Sequence, residues 1–188
     1  KIHSPFMVSS EDMTPKHWIK IAEIAARSLN NPDIKGIIIT HGTDTLHYTS
    51  AALSFFLQNL NKPVVLTYSQ RSSDRASSDA ALNLLCSARA AISDIAEVML
   101  VGHASSNDNF CYAMPGTKVR KMHSSKRDAF KTINALPFAK VFPDKVEKLS
   151  PYKECNNDKV KLDAVFDDSI AIIKFFPGQN PDILDYYS

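Results

Sequence analysis

The order of apolar runs and polar breaks along the chain predicts an α/β fold. Short runs rich in β-branched residues are typical of buried strands, and they lie at residues 36–39, 63–67, 97–101 and 109–114. Apolar positions at helical spacing predict helices, and these lie at residues 15–29, 46–60 and 79–92. Because strands and helices alternate, the pattern predicts an open, mainly parallel sheet flanked by helices.

The predicted helix at residues 79–92 has a distinct apolar side. We expect that side to face the sheet, since an amphipathic helix buries its apolar stripe. Its members are Ala81, Leu84, Leu85, Ala88 and Ile92.

The loss of periodicity toward the C-terminal end predicts the domain organisation. We expect residues 1–143 to form one α/β domain, in a chain that is truncated at both ends. Residues 144–168 are rich in Lys, Asp, Asn and Pro, which indicates a linker or irregular strands. A strand at residues 169–176 and a helix after Pro181 predict the start of a second α/β domain over residues 169–188.

The turn at residues 41–45 is the strongest candidate for chemistry. Thr43, Asp44 and Thr45 follow a buried strand and precede a helix, so they lie at the sheet edge where open α/β folds bind ligands. A hydroxyl beside a carboxylate could act on a substrate there. The alternative is that these side chains only cap the helix, because Asp and Thr are ordinary cap residues.

Two other polar stretches could reach the same edge. Residues 69–78 follow the strand at 63–67 and are rich in Ser and Arg, and this composition by itself favours a solvated loop over a binding loop. Residues 118–131 are rich in Lys and Arg. They form a solvated basic face, direct one cation into a site, or meet an acidic partner such as RNA phosphates.

Composition narrows the class of protein only a little. A net charge of +2 is too small to argue for nucleic acid or membrane binding, and no apolar run approaches the roughly 18 residues of a membrane helix. Three separated cysteines favour reduced thiols in a cytoplasm. Histidine and cysteine spacing predicts no metal site, and the phosphate-loop, dinucleotide and nucleophile-elbow motifs are absent. The chain begins without Met, which suggests a piece of a longer protein.

Several motifs together resemble the L-asparaginase family of amidohydrolases. The turn at 41–45 resembles the family's second signature, and residues 10–15 resemble its substrate-binding loop. Lys121 lies where the family carries its catalytic lysine, and residues 175–178 resemble the start of its C-terminal domain. Two stretches, at residues 70–79 and 118–125, are similar to one branch of the family. That branch comprises the D-type subunits of the archaeal glutamyl-tRNA(Gln) amidotransferases.

The resemblance implies a role for six side chains. Thr43, Asp44 and Lys121 would be catalytic: Lys121 would help to remove the hydroxyl proton of Thr43, and Asp44 would bind the substrate's α-ammonium group. The other three would bind substrate. Ser10 and Glu11 would contact its α-carboxylate and ammonium groups, and Ser69 would lie near its amide.

The branch implies a glutaminase that works inside a complex. Glutamine would be hydrolysed through an acyl-enzyme, and the ammonia would reach an E-type partner in the amidotransferase. That partner would use ATP and Mg to amidate glutamate carried on tRNA(Gln), so no cofactor is expected in this chain. A homodimer core within a heterotetramer is implied. The alternatives are a free-standing cytoplasmic L-asparaginase and a non-catalytic fragment that serves as a binding scaffold.

The chain also departs from the family pattern. The earlier Thr-Gly-Gly-Thr signature, whose threonine is usually assigned as the nucleophile, does not occur, and neither does the lid tyrosine that follows it. Tyr68 stands where related sequences usually have glycine, which could crowd the substrate amide. We therefore expect activity from the full-length protein, whereas residues 1–188 alone should be inactive and fold poorly.

Overall fold

The computed structural model describes residues 1–187, which are built around one six-stranded sheet. The helices are α1 Pro15–Leu29, α2 Leu46–Phe56, α3 Ala80–Ala91 and α4 Ile183–Tyr187, and a 3-10 turn covers Ser10–Asp12. The strands are β1 Ile37–Thr40, β2 Leu57–Gln58, β3 Val64–Thr67, β4 Val98–His103, β5 Cys111–Pro115, β6 Val119–Lys121, β7 Phe130–Thr132, β8 Ala139–Val141, β9 Val146–Lys148 and β10 Lys161–Leu162.

The sheet has the order β1-β3-β4-β5-β8-β9. Strands β1, β3 and β4 are parallel, with Val64 opposite both Ile37 and Val98. Strands β5, β8 and β9 extend the sheet in antiparallel fashion. The parallel centre confirms the predicted mainly parallel core, while the antiparallel extension was not predicted.

The core lies on both faces of the sheet. Successive side chains of a strand point to opposite faces, so Val64 and Leu66 pack with α1 and α2, whereas Val65 packs with α3. Because all three parallel strands run the same way, the segments that follow β1 and β3 emerge at the same edge. The His41 backbone N–H donates to the Thr67 carbonyl at 3.0 Å, which joins these two segments.

The predicted inward side of α3 is wrong. Leu84 is 51% exposed and Ile92 is 63% exposed, and the other three members of that side are also at least partly exposed: Ala81, Leu85 and Ala88. Small and polar residues face the sheet instead: Asn83, Cys86, Ser87, Ala90 and Ala91. Small side chains allow a helix to lie close to a sheet, so the larger leucines remain on the outer side.

The outer side of α3 borders an apolar groove beside β1. This groove has a volume of about 1050 Å³ and is lined by Ile24 of α1, Ile38 of β1, and Leu84 and Ile92 of α3. Since β1 is the outer strand of the sheet, the groove has the lining that a further strand buried on both faces would need.

The C-terminal third differs most from the predicted pattern. The predicted strand at 169–176 is wrong: this segment pairs with no other strand of the described residues, and Ile172 is 89% exposed. The predicted linker contains β9 and β10, which matches the alternative of irregular strands, while the domain boundaries stay a prediction. The helix predicted to reach Leu60 ends at Phe56, where the chain turns into β2. Within residues 1–187, no helix has the length and apolar character needed to cross a bilayer.

Candidate active site

Three side chains from two distant parts of the chain meet at the carboxyl end of β1. The Lys121 Nζ donates to the Thr43 Oγ1 at 2.8 Å and to the Asp44 Oδ1 at 2.9 Å. Thr43 and Asp44 belong to the turn between β1 and α2, whereas Lys121 is the last residue of β6. A hydroxyl, a carboxylate and an amine thus share one small volume.

The hairpin of β6 and β7 positions Lys121. The two strands are antiparallel, with Lys121 opposite Phe130, and the Met122 N–H donates to the Ala129 carbonyl at 2.7 Å. The turn before the hairpin packs closely on α2, where the Ser50 Oγ donates to the Gly116 carbonyl at 3.0 Å. A Cβ at Gly116 would lie 2.7 Å from the Ser54 Oγ, so this close contact requires glycine.

Ser10 positions the carboxylate of Asp44. The Ser10 Oγ donates to the Asp44 Oδ2 at 3.2 Å and accepts from the Asp44 N–H at 3.1 Å. The Thr45 Oγ1 donates to the Ser10 carbonyl at 2.6 Å. Gly42 makes this approach possible, because a Cβ there would lie 2.7 Å from the Ser10 Oγ and 2.8 Å from its Cβ.

The helix-capping alternative is not what the structure contains. The N-cap of α2 is Thr45, and its side chain makes no cap hydrogen bond. The side chains of Thr43 and Asp44 are turned toward Lys121 instead. The turn therefore presents its polar groups to a site at the sheet edge.

The electrostatics of the site suit a zwitterionic ligand. The hydrogen bond from Lys121 is the largest factor that holds the pKa of Asp44 below its usual value, and the Lys121 charge adds to it. The Asp44 side chain is nevertheless 58% exposed, whereas that of Lys121 is 15% exposed. A ligand can therefore reach the carboxylate from solvent while the amine stays largely covered.

Two histidines flank the turn but make no hydrogen bond to Thr43, Asp44 or Lys121, the three residues that form the candidate triad. The Nδ1–H of His41 donates to the Gly42 carbonyl at 2.7 Å, and its Nε2 accepts from the Thr49 hydroxyl at 2.8 Å. Burial lowers the pKa of His41. Burial also lowers the pKa of His47, and the positive charges of Arg120 and Lys121 lower it further. Both rings are therefore neutral neighbours of the site at neutral pH.

The structure separates the remaining predicted residues. Ser10 is buried at the site, whereas the side chain of Glu11 is exposed and has no hydrogen bond or ion pair within residues 1–187. The Ser69 hydroxyl donates to the Arg71 carbonyl and, at 3.3 Å, to the Asp79 Oδ1. Ser69 therefore lies at the same sheet edge but points into its own loop.

A buried carboxylate that the sequence treated only as a helix start organises that loop. Asp79 is fully buried and accepts hydrogen bonds from the backbone N–H groups of Gln70 at 2.9 Å and Arg71 at 2.8 Å. The Asn83 Nδ2 donates to it at 3.1 Å. These donors satisfy the carboxylate without a cation.

A polar chain continues from Asn83 across the molecule. The His103 Nδ1 lies 2.6 Å from the Asn83 Oδ1, and its Nε2 lies 3.0 Å from the Asp108 Oδ1. Arg127 donates to the same Asp108 oxygen at 2.7 Å. The only feature of the sequence that pointed to this chain of hydrogen bonds was a polar residue, Asn83, at helical spacing from the small residues of α3.

Tyr68 is part of the core. Its ring centroid lies 4.7 Å from that of Phe130, and its hydroxyl donates to the Arg127 carbonyl at 2.7 Å. A Cβ at Gly102 would overlap the Tyr68 ring, so the absence of a side chain there makes room for the tyrosine. The ring thereby joins β3 to the segment that follows Lys121.

The arrangement can support hydrolysis of a small amide that carries a charged amino group. Asp44 can bind a cation, and the hydroxyl of Thr43 has an amine within hydrogen-bond distance to exchange its proton. Within residues 1–187, no group of three or more His, Cys, Asp or Glu side chains could hold a metal ion.

Comparison with known protein families identifies the domain. A family model described as "Asparaginase, N-terminal" matches residues 1–153. Two similar relatives are the D-type subunits of the glutamyl-tRNA(Gln) amidotransferases of Pyrococcus abyssi, with 51% identity over 183 residues, and of Thermococcus kodakarensis, with 54% identity over 183 residues. These matches cover 96% of the chain but only 42% and 41% of those relatives.

Solved structures give the same result for the fold. The thermostable L-asparaginase of Thermococcus kodakarensis matches with a TM-score of 0.85 and 32% identity, and L-asparaginase I of Vibrio cholerae matches with a TM-score of 0.81 and 32% identity. Each match covers 96% of the chain and 52% of the solved chain.

Proposed function

The chain belongs to the asparaginase family, and on that premise we propose that its full-length protein hydrolyses glutamine to supply ammonia to a tRNA-dependent amidotransferase. The observation that carries this proposal is the position of the Lys121 Nζ, 2.8 Å from the Thr43 Oγ1 and 2.9 Å from the Asp44 Oδ1. The amidotransferase role is supported by the relatives named as D-type subunits of glutamyl-tRNA(Gln) amidotransferases.

Binding of glutamine would rearrange the ion pair. The substrate's α-ammonium would take the exposed carboxylate of Asp44, with Ser10 and Glu11 contributing to recognition of the α-ammonium and α-carboxylate groups. Lys121 would then share Asp44 with a second cation. Because two cations at one carboxylate repel each other, Lys121 would release one proton to solvent when the substrate binds, and its neutral amine would then accept the proton of Thr43.

The chemistry then proceeds in two steps. In the scheme that uses the described residues, the Thr43 Oγ1 forms a bond to the amide carbon as its proton passes to the Lys121 Nζ; the alternative is that the threonine of the Thr-Gly-Gly-Thr signature makes this first attack. The C–N bond breaks, the nitrogen takes that proton, and ammonia leaves an acyl-enzyme. Water hydrolyses the ester to give glutamate and restores the hydroxyl. The Ser69 hydroxyl is bonded within its own loop, so Ser69 would assist through its backbone, near the developing oxyanion.

The complex we propose has a division of labour. The ammonia would pass to the E-type partner, which would hold ATP and Mg and amidate glutamate on tRNA(Gln). The full-length protein would form a homodimer core within a cytoplasmic heterotetramer. Residues 1–188 alone would lack activity, because the groove beside β1 would stand open to water.

Kinetics of the full-length protein test the proposal. Ammonia release from glutamine should fall about 10³-fold when Thr43→Val removes the hydroxyl, whereas Asp44→Asn should chiefly raise KM. Addition of the partner and charged tRNA should increase the rate. A full-length protein that releases no ammonia from glutamine under any of these conditions would refute the proposal.

The second candidate is a free-standing L-asparaginase, which the two solved structures favour because both are asparaginases. A preference for asparagine and no response to a partner would select it. The third candidate is a non-catalytic scaffold, which the basic residues at 118–131 favour. In that case Lys126→Gln would weaken tRNA binding, and substitutions at the triad would change no activity.

A further inference from the structure

A second concave site, lined by arginines and neutral polar residues in equal number, lies beside the candidate active site. This basic pocket has a volume of about 690 Å³. It is lined by Gln70, Arg71, Ser72, Arg75, Ser125 and Arg127. The lining contains three arginines and neither a carboxylate nor an apolar side chain, so it is built for an anion.

Hydrogen bonds to neighbouring oxygens position two of the guanidinium groups in advance. Arg127 donates through its Nη1 to Asp108 at 2.7 Å and through its Nη2 to the Ser106 carbonyl. The Arg71 Nη1 donates to the Ala76 carbonyl at 3.0 Å. Each guanidinium has five N–H donors, so several remain free. Arg75 is exposed, and within residues 1–187 its side chain has no hydrogen-bond partner.

The walls of the basic pocket come from two loops that also border the active site. The first loop begins at Ser69, and the second begins directly after Lys121. The Gln70 Nε2 donates to the Ser124 carbonyl at 2.9 Å, which fastens the two loops to each other. The basic pocket is therefore a preorganised concavity between two fastened loops.

We propose that the basic pocket binds a backbone phosphate of RNA. Guanidinium groups pair with phosphate oxygens in bidentate fashion, and serine hydroxyls are common additional donors to phosphate. The inference rests on the proposed function, because it takes the RNA to be the tRNA of the amidotransferase.

The lining favours RNA over an acidic protein partner. Protein interfaces have an apolar centre, whereas nucleic-acid interfaces are polar and strongly positive. Two further exposed cations, Arg120 and Lys126, lie close in sequence to Ser125 of the basic pocket. This arrangement suits a nucleic-acid strand, whose phosphate charges are evenly spaced. Asp74 belongs to the first loop but does not line the basic pocket.

The test measures tRNA affinity of the full-length protein at several salt concentrations. Arg71→Gln/Arg75→Gln should weaken binding at least about tenfold at low salt and reduce the slope of log K against log[salt] by about 0.7–0.9, the contribution of one phosphate contact. The control Arg27→Gln/Lys161→Gln removes two exposed cations that do not line the basic pocket and should match the wild type. Ser125→Asp adds a negative charge to the lining and should weaken binding without removing an arginine.

Two further measurements make failure interpretable. Polyglutamate replaces tRNA as a probe in one arm, and arginine-dependent binding of polyglutamate but not of tRNA would overturn the proposal. Unchanged tRNA affinity and salt slope in the double variant would overturn it too. Ammonia release from glutamine is measured on the same samples. Loss of tRNA binding with normal glutaminase activity supports the inference, whereas a wild type without glutaminase activity counts against the proposed function alone.

Discussion

The contact between Gly42 and Ser10 offers a sharp test of how the site is held together. A Cβ at position 42 would lie 2.8 Å from the Ser10 Cβ and 2.7 Å from its Oγ. Two carbon atoms need about 3.5 Å, so Gly42→Ala must move Ser10 by roughly 0.7 Å. That shift would break the bonds of 3.2 and 3.1 Å that Ser10 makes with Asp44.

The expected loss follows from these two hydrogen bonds. A hydrogen bond to a charged group contributes about 1.5–3 kcal/mol, and about 1.4 kcal/mol corresponds to a factor of ten. We therefore expect kcat/KM for glutamine to fall about 10- to 100-fold in full-length Gly42→Ala. Ser10→Ala removes the same two bonds without overpacking and should lose a similar factor.

A double variant separates packing from positioning. Ser10→Gly/Gly42→Ala has room for the new methyl group, so it should regain the stability that Gly42→Ala loses, about 1–3 kcal/mol for an overpacked site. Its activity should stay low, because the serine hydroxyl is absent. Steady-state kinetics and thermal denaturation measure both quantities. Wild-type kcat/KM in Gly42→Ala would refute the role assigned to Ser10.

Three other predictions concern the triad, the first loop and the isolated chain. Because Lys121 lowers the pKa of Asp44, the pairing of the two side chains stabilises the fold at pH values above the usual pKa of an aspartate. That stability is lost as the pH falls through the lowered pKa. Lys121→Met should therefore raise the pKa of Asp44, which carboxyl NMR titration measures. Asp79→Asn should destabilise the protein by about 1–3 kcal/mol in denaturant unfolding, since one of the two backbone N–H groups that Asp79 accepts from would face an amide NH2 group and lose its acceptor, whereas the exposed Asp74→Asn should change little. Residues 1–188 alone should neither turn over glutamine nor unfold in a sharp cooperative transition, and either behaviour would contradict our account of the open groove.

The parts of the fold that are determined by residues close together in the sequence were predictable from the sequence. The turn after β1 was placed correctly because a short β-branched run, a glycine and a helical pattern are consecutive there. The parallel core of the sheet was predictable because strands and helices alternate along the chain. Which side of α3 faces outward was not predictable. The spacing of apolar residues identifies an apolar stripe on a helix, but it does not say whether that stripe packs on the sheet or on another surface. Leu84 and Ile92 line the groove beside β1, not the core.

The contacts of the site needed more than spacing along the chain. Lys121 lies 77 positions from Asp44 in the sequence, and only the resemblance to a family placed it near the turn. Asp79 looked like an ordinary helix start, and its role in holding the first loop is visible only when Gln70 and Arg71 fold back onto it. The strand predicted at 169–176 is absent from the structure. β-Propensity predicted it, but propensity alone does not provide a neighbouring strand with which this segment could pair.

The most direct test of the central claim is the rate of ammonia release from glutamine by full-length Lys121→Met, with Lys118→Met in the turn just before β6 as the control. We predict that Lys121→Met loses about 10³-fold or more in rate while it still assembles with its partner, and that Lys118→Met keeps the wild-type rate. A Lys121→Met protein that releases ammonia as fast as the wild type would contradict the claim that Thr43, Asp44 and Lys121 form the catalytic site.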